Sequence, residues 1–508
     1  MVLFILSLLP IIWLVIGLCV LKMPSYKASI ITLLIAMLEG LFIWKAPVIN
    51  VLTAALEGFV MALWPIVIVI IAAIFTYNIT VKTGAMETIK TLLCSISDDS
   101  RVLALLLAWG FGGFMEGMAG FGTAVAIPVG MLITLGFDPI LAVVICLVAN
   151  GCPTMFGSVA VPTTTLASLV NIDVMSLSFT SALMAAPLYF ITPFIVVSLV
   201  SKSFKKSLDI LPVTLASSLG FIVPVILFAK LVGPELCDII AALISMGLTI
   251  WAAKTFKKKE TAKEYKLSLS ITKIDTKTAM IAVCPFVLIF VVLLLTSNFF
   301  PFIHDSLSSV KTVLNIYKGD PNAKLTLTWI NTPGVLILFC GIVGGFVQKL
   351  NVKEMLDIFV STVKQMSKTI ITMLAVLGSA KVMGYTGMIA SMASFFVASL
   401  GTYYPLVAPL LGAIGTFVTG SGTSSEVLFG NVQVSAAEAL NINKVWLAAS
   451  NSLGTATGKM LSPQTIAIGT AACGKEGEDG LVLSKVIPIA LIYIVLSALI
   501  VYFGKGIM

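Results

Sequence analysis

Hydrophobic positions in this chain come in long runs with little alternation, separated by short polar stretches. A helix needs about 20 mostly apolar residues to cross the hydrocarbon of a bilayer. Runs of that kind lie at 3–21, 28–46, 58–80, 178–200, 208–230, 234–253, 279–297, 327–347, 369–384 and 486–503. Two further zones, 102–170 and 405–472, are as apolar but crowded with Gly, Thr, Ser and Pro, and do not read as plain spanning helices. The first half of each predicts a re-entrant hairpin. Residues 102–118 and 122–135 are each too short to cross and flank the turn Gly117-Met118-Ala119-Gly120-Phe121-Gly122. Residues 405–418 and 426–440 flank Gly420-Ser421-Gly422-Thr423-Ser424-Ser425. The second half of each predicts a broken helix. Residues 139–149 stop at Asn150-Gly151-Cys152-Pro153 and resume to about 170, and 444–450 stop at Asn451-Ser452-Leu453-Gly454-Thr455 and resume to about 472. Non-helical backbone at membrane depth is tolerated only where it is buried or lines a cavity. Four such breaks therefore predict one central polar site. The competing reading of these glycines is close helix packing through small residues; packing alone leaves the Thr, Ser and Asn beside them unexplained.

The two zones match each other. Gly122-Thr123 pairs with Gly422-Thr423, while Asn150 with Asn451, Gly157 with Gly458 and Pro162 with Pro463 share a single offset. Upstream, Thr83-Gly84 pairs with Thr386-Gly387. The chain then divides into repeat 1 (1–200, hairpin 102–135, broken helix 139–170), two linking helices with a Lys-rich loop (201–278), and repeat 2 (279–508, hairpin 405–440, broken helix 444–472). Basic loops face the cytoplasm, and the segment 254–277 carries eight lysines against three acids. Placing it inside also puts Lys202, Lys205, Lys206, Lys349, Lys353, Lys364, Lys368, Lys82, Lys90, Arg101, Lys22 and Lys27 inside, with the loop 298–326 and both termini outside. The helix 58–80 then runs inward and its counterpart 369–384 outward, so the repeats are inverted, an arrangement that puts a transporter's site at the midplane between them. The expected fold is an all-α polytopic membrane protein with two inverted-topology repeats, about 12 transmembrane helices, two re-entrant hairpins and two broken helices.

Composition agrees and narrows the function. Of 508 residues, 59% are hydrophobic and 11% charged, against roughly 25% charged in soluble domains; mean hydropathy is +1.10. This excludes a soluble enzyme, a secreted disulfide scaffold and a disordered chain. The net charge of +8 sits in short loops and is no nucleic-acid signal. Arg101 is the single arginine and His304 the single histidine, so no His-based metal site or triad is expected, and no cofactor. The eight cysteines are scattered singly and read as packing residues. The first apolar run lacks a basic leader and a cleavage site, and reads as a retained helix. Ser421 and Ser424 have no histidine to activate them, which argues against an intramembrane hydrolase.

Helix N-termini attract anions, and the tips and breaks offer several. Gly120, Gly122 and Gly420 let backbone approach a ligand, while Thr123, Asn150, Thr154, Ser421, Thr423, Ser424, Ser425, Asn451 and Thr455 supply neutral hydrogen bonds. That suits a small carboxylate bearing a hydroxyl. Charges in the core are costly unless paired or functional. Glu116 and Glu426, beside the two tips, are the candidate proton-coupling acids; Lys459 is a candidate substrate ligand and Lys381 a charge-balancing partner. Asp173 and Asp209 lie where they would cap helices.

The run Gly110-Phe111-Gly112-Gly113-Phe114-Met115-Glu116-Gly117-Met118-Ala119-Gly120-Phe121-Gly122-Thr123 resembles the signature of the bacterial lactate permease family. So do the stretch from Asn150 through Phe156-Gly157 to Pro162, the run Thr419 to Ser425, and Thr457-Gly458-Lys459-Met460-Leu461-Ser462-Pro463-Gln464. The likeness spans most of the chain. It implies proton-coupled import of lactate or glycolate across the bacterial inner membrane, with elevator motion as in the larger ion-transporter group. The chain departs from the family pattern at Gly422, where an acid is usual, at Glu426, where Asn is usual, and at Gly151-Cys152, where Thr-Ala is common. The expected partners are a small monocarboxylate (L-lactate, D-lactate or glycolate), protons and lipid, with no nucleic acid and with homo-oligomers allowed. A sodium-coupled carboxylate transporter of related fold and an anion channel are the alternatives.

Overall fold

The computed structural model of the chain describes residues 2–21, 23–94, 96–120, 122–256, 264–267, 274–297, 299–475 and 478–506. Most of the Lys-rich loop 254–277, and Phe121 of the first tip, lie outside the described residues. Among those described the chain is helical throughout, apart from two short antiparallel strands, Lys311–Leu314 and Leu325–Thr328. Among the described residues eleven helices are long and apolar enough to cross a membrane, against about twelve expected. The first and eighth predicted spans form only shorter apolar helices, Leu3–Leu18 and Pro333–Val347. The eighth begins late because Leu325–Thr328 is a strand and Pro333 opens the helix.

Burial sorts the helices into two groups. The apolar stretch of Ser100–Met118 is wholly buried and that of Pro139–Val170 is 94% buried, against 28% for Thr276–Leu295 and 33% for Asp479–Gly504. The hairpins and breaks thus form the interior, and the last two helices present their apolar sides outward. A second frame is built from Val48–Lys82 and Val352–Thr386, each 35 residues long. Their crossing is tight because Gly58 lies against the backbone of Leu377 and Gly378; a Cβ at Gly58 would sit 2.5 Å from the Leu377 carbonyl. Val48–Lys82 is interrupted at Trp64-Pro65, where Trp64 leaves helical geometry, as a mid-helix proline requires. The predicted span 369–384 covers only the end of Val352–Thr386. Its amphipathic first half is launched by a capping box in which Asn351 and Glu354 satisfy each other's backbone N–H.

The two predicted hairpins are present. The first has arms Ser100–Met118 and Thr123–Thr134; the second has arms Tyr404–Thr419 and Gly422–Leu440. The first broken helix is also present, as Pro139–Gly151, a 3-10 turn over Cys152–Phe156, and Gly157–Val170. The second breaks elsewhere than expected. Lys444–Leu461 runs without interruption through Asn451, Gly454 and Thr455, and the interruption falls at Ser462, before Pro463–Ala472. Proline bars the preceding residue from helical geometry, and Ser462 is extended (φ −62°, ψ 125°). The glycines here serve packing instead. A Cβ on Gly454 would collide with the Pro409 carbonyl, and one on Gly458 with that of Ala413. They let Lys444–Leu461 lie directly on the first arm of the second hairpin, as small residues do between membrane helices. Asp173 caps Val174–Ser201 by accepting from Ser176 N–H at 2.7 Å, whereas Asp209 faces Arg101 at 3.9 Å.

Candidate functional site

Both tips turn on residues with positive φ. At the first, Gly120 (57°) and Gly122 (85°) reverse the chain, and Thr123 starts the return arm with its hydroxyl donating to Gly120 O at 2.7 Å. At the second, Gly420 (68°) reverses the chain, and Ser421 caps the return arm by accepting from Ser424 N–H. The first break is more demanding, since Ser158, Val159 and Ala160 all adopt left-handed geometry. That costs roughly 1–2 kcal/mol for each residue with a Cβ. Two hydroxyls hold it in place. Ser158 Oγ donates to Ala119 O of the first tip at 2.9 Å, and Thr163 Oγ1 donates to Met155 O across the break at 2.6 Å.

Tips and breaks converge on a cavity of about 330 Å³. Gly122, Thr154, Gly420, Ser421, Thr423, Ser424 and Lys459 line it, as does Glu116. The beginnings of three helices face it through Gly122, Gly422 and Gln464, a setting that favours an anion, and the left-handed break faces it through Gly157. Gly422 packs against Thr154, where a Cβ would lie 2.9 Å from the threonine methyl, so the second tip touches the first break directly.

The charges in the cavity form one linked set. Lys459 Nζ stands 3.9 Å from Glu116 Oε1 and donates to Gly420 O at 3.4 Å. Asn150 Nδ2 donates to Glu116 Oε2 at 2.9 Å. Both charged side chains are almost fully buried, so neither is supported by bulk water and each depends on the other. Gly157 is what admits Glu116, since a Cβ there would sit 2.6 Å from Oε1. Thr154 Oγ1 donates to Asn150 O at 2.9 Å, keeping Asn150 on the last turn before the break.

Other expected residues are not brought to this cavity. Glu426 is completely buried behind the second tip, with Oε2 accepting from Asn451 Nδ2 at 2.8 Å. Asn451 is further engaged by Ser425 O and by Gln433. Ser425 Oγ donates to Gly412 O, joining the two arms of its hairpin, and Thr455 Oγ1 donates to Ser452 O within its own helix. Asn150, Gly120 and Thr123 support the tip without lining the cavity. Lys381 pairs with neither hairpin acid. Its Nζ lies 2.9 Å from Glu57 Oε1, and Tyr385 donates to that same oxygen at 2.8 Å. Arg101 is locked to Asp99 by two hydrogen bonds of 3.1 and 2.8 Å and stacked on Tyr265.

The opposite wall was not anticipated. Ser25, Tyr26 and Ser29 from Ser25–Phe42, with Thr369 and Thr372 from Val352–Thr386, face the tips, and Lys368 stands at the rim. Their spacing of three or four residues is a polar stripe on otherwise apolar helices, the one signal that the sequence carried. Further along the same frame helix lies a second cavity of about 970 Å³, lined by Lys381, Tyr385 and Glu57 and reached by the loop residues Asn322 and Lys324. Gly157, Ser158 and Pro162 face the first cavity, and Val159 and Thr164 the second, so the left-handed break separates them.

Comparison with known proteins places this arrangement. The family model for L-lactate permease matches residues 3–508. The chain is 40% identical over 450 residues to an L-lactate permease of Streptococcus iniae, covering 89% of this chain and 94% of that protein. It is 32% identical to an L-lactate permease of Bacillus subtilis, with 93% and 90% covered. It is 29% identical to the glycolate permease GlcA of Escherichia coli, again with 93% and 90% covered. Among solved structures, the YdaH transporter of Alcanivorax borkumensis aligns with a TM-score of 0.51 at 15% identity, over 90% of this chain and 88% of that one. MtrF of Neisseria gonorrhoeae aligns with a TM-score of 0.51 at 12% identity, over 96% and 95%. These two share the fold with this chain. With the family model spanning nearly its whole length, the chain belongs to the L-lactate permease family, which are multi-pass membrane permeases and not enzymes.

Proposed function

We propose that the protein imports a small 2-hydroxy monocarboxylate, lactate or glycolate, together with protons across a bacterial inner membrane. The observation that carries this reading is the buried Lys459–Glu116 pair in a small cavity where three helix beginnings meet. A substrate carboxylate entering the cavity competes with Glu116 for Lys459. Once it takes the lysine, Glu116 is a buried carboxylate without a cation, a state that favours protonation. Proton uptake is thereby tied to substrate binding by the geometry of one lysine. The hydroxyls of Ser421, Thr423 and Ser424, with Thr369 and Thr372 opposite, are suited to a 2-hydroxyl group. The names of the relatives, L-lactate and glycolate permeases, point to the same substrates.

The transport motion in this reading is a sliding of hairpins and broken helices, as one body, along the frame of Ser25–Phe42, Val48–Lys82 and Val352–Thr386. Support comes from the two cavities stacked along the frame helix. Thr369 in the first and Tyr385 in the second are 16 positions apart, about 24 Å of helix. Lys368 at the rim of the first supports a cytoplasmic opening there, and the reading takes the halves as inverted repeats with both termini outside. The test is uptake of radiolabelled monocarboxylates into proteoliposomes. Accumulation driven by a pH gradient without sodium is expected. Accumulation driven only by a sodium gradient, or downhill flux alone, refutes the proton reading. Glu116→Gln is expected to abolish accumulation.

A further inference from the structure

We infer that Asp238 is the proton-loading residue of the carrier, the acid that holds the proton while Glu116 is paired with Lys459 and from which Glu116 is protonated when substrate arrives. This rests on the proton-symport reading and adds a residue outside both hairpins and both breaks. Asp238 lies in the first turn of Cys237–Thr255 and is 1% exposed, yet neither carboxyl oxygen has a hydrogen-bond partner among the described residues. It is not the N-cap of its helix, which is Leu236, and no backbone N–H donates to it, so capping does not account for it. It abuts the first hairpin directly, because a Cβ on Gly117 would sit 2.8 Å from Asp238 Cβ. Gly117 adjoins Glu116 in sequence, and the two carboxyls lie within electrostatic range of each other.

The titratable groups around Asp238 are Glu116 from the hairpin, Cys152 from the break, Tyr189 from Val174–Ser201, and Cys237 and Glu235 on its own segment. Among the described residues that face it there is no lysine, arginine or histidine. The two acids are therefore opposite cases. Glu116 has a cation and an amide donor beside it, whereas Asp238 is buried with neither among the described residues. Glu235, three residues earlier, lines the second cavity, with His304 beside it in a smaller adjoining one. Asp238 itself lines none of these cavities; it is three residues from Glu235, which lines the second, and in contact with Gly117, the neighbour of Glu116, which lines the first. In the transfer, relayed by one water because the two carboxyls are not hydrogen-bonded to each other, the Asp238 carboxyl O–H bond breaks, the water passes on a proton in exchange for the one it receives, and an O–H bond forms on Glu116. Asp238 is left as the carboxylate and is recharged by a proton entering past Glu235.

The experiment compares wild type with Asp238→Asn and Asp238→Glu in proteoliposomes, measuring pH-gradient-driven lactate accumulation, lactate counterflow at equal pH, and lactate-induced proton movement. Asparagine preserves the shape. The expected result for Asp238→Asn is a loss of accumulation and proton movement of more than about tenfold, with counterflow kept within about twofold, and recovery in Asp238→Glu. Accumulation at the wild-type level in Asp238→Asn overturns the proposal. So does equal loss of accumulation and counterflow in a variant that elutes as folded protein, since that is a structural role. Absence of proton-driven accumulation in the wild type overturns the parent reading as well, and is distinguishable because it needs no variant.

Discussion

The two hairpins share a plan but treat their acids oppositely. Glu116 precedes the first tip, reaches the cavity and meets Lys459 and Asn150. Glu426 follows the second tip, is sealed behind it and meets the amide of Asn451 and the side chain of Ser452. Each acid has an asparagine on the broken helix of its own half, so the scaffold is common and the cation is not. The lysine comes from the second half and serves the first. The difference teaches that the site is composite. In the proposed exchange, the first half supplies the anion that substrate displaces, and the second supplies the cation that substrate takes.

The largest effect should come from breaking that exchange. Lys459→Met leaves Glu116 buried without its cation, a loss of about 3–5 kcal/mol for a buried pair, so uptake is expected to fall by at least about 100-fold. Adding Glu116→Gln to it should restore the thermal stability of the purified protein without restoring accumulation. Wild-type uptake in Lys459→Met alone would mean that the two side chains do not depend on each other.

A smaller effect separates the broken helices. The second is continuous where the first unwinds, and its glycines seat it on a neighbour. Gly454→Val forces a branched side chain into the Pro409 carbonyl. Overpacking of this kind costs about 1–3 kcal/mol, and the melting midpoint in detergent should drop by roughly 1–3 °C. An unchanged midpoint would show that the helices are not in contact there.

These two cases also mark where the sequence was legible. Spans and hairpins follow from hydrophobic run length and Gly-rich interruptions, both local. The place of the first break was legible because Cys152-Pro153 follows Asn150-Gly151. The second was misplaced because Gly454 was read as an interruption, and only the neighbouring helix decides that this glycine serves packing. The partner of Lys381 was hidden for a related reason: Glu57 lies on a different frame helix, and charge pairing between helices has no sequence period. The strands at 311–314 and 325–328 passed unnoticed in a loop read only for its polarity. Ser25, Ser29, Thr369 and Thr372 were overlooked because a few hydroxyls on an apolar helix are ordinary until something faces them.

Glu426 gives a sharper test of the comparison than its burial suggests. Glu426→Gln keeps the shape and an acceptor for Asn451, and removes a carboxyl that does not line the cavity. Its cost should stay near that of one neutral hydrogen bond, about 1 kcal/mol or less, so proton-driven uptake is expected within about fivefold of wild type. A loss as deep as that of Glu116→Gln would make the two acids equivalent and restore symmetry to the halves.

The smallest effects carry opposite signs and concern backbone alone. Ala160 holds a φ of 59° inside the first break, where glycine has no steric penalty. Ala456 lies in the uninterrupted helix Lys444–Leu461, where glycine costs about 1 kcal/mol. Both alanines are fully buried, so the same lost methyl is subtracted from each. Ala160→Gly should therefore leave the melting midpoint unchanged or slightly raised, and Ala456→Gly should lower it by a few degrees. Comparing the pair cancels the methyl and leaves the backbone term. If both variants fall equally, Ala160 is not left-handed in the folded protein, and the first half is no more broken at that point than the second.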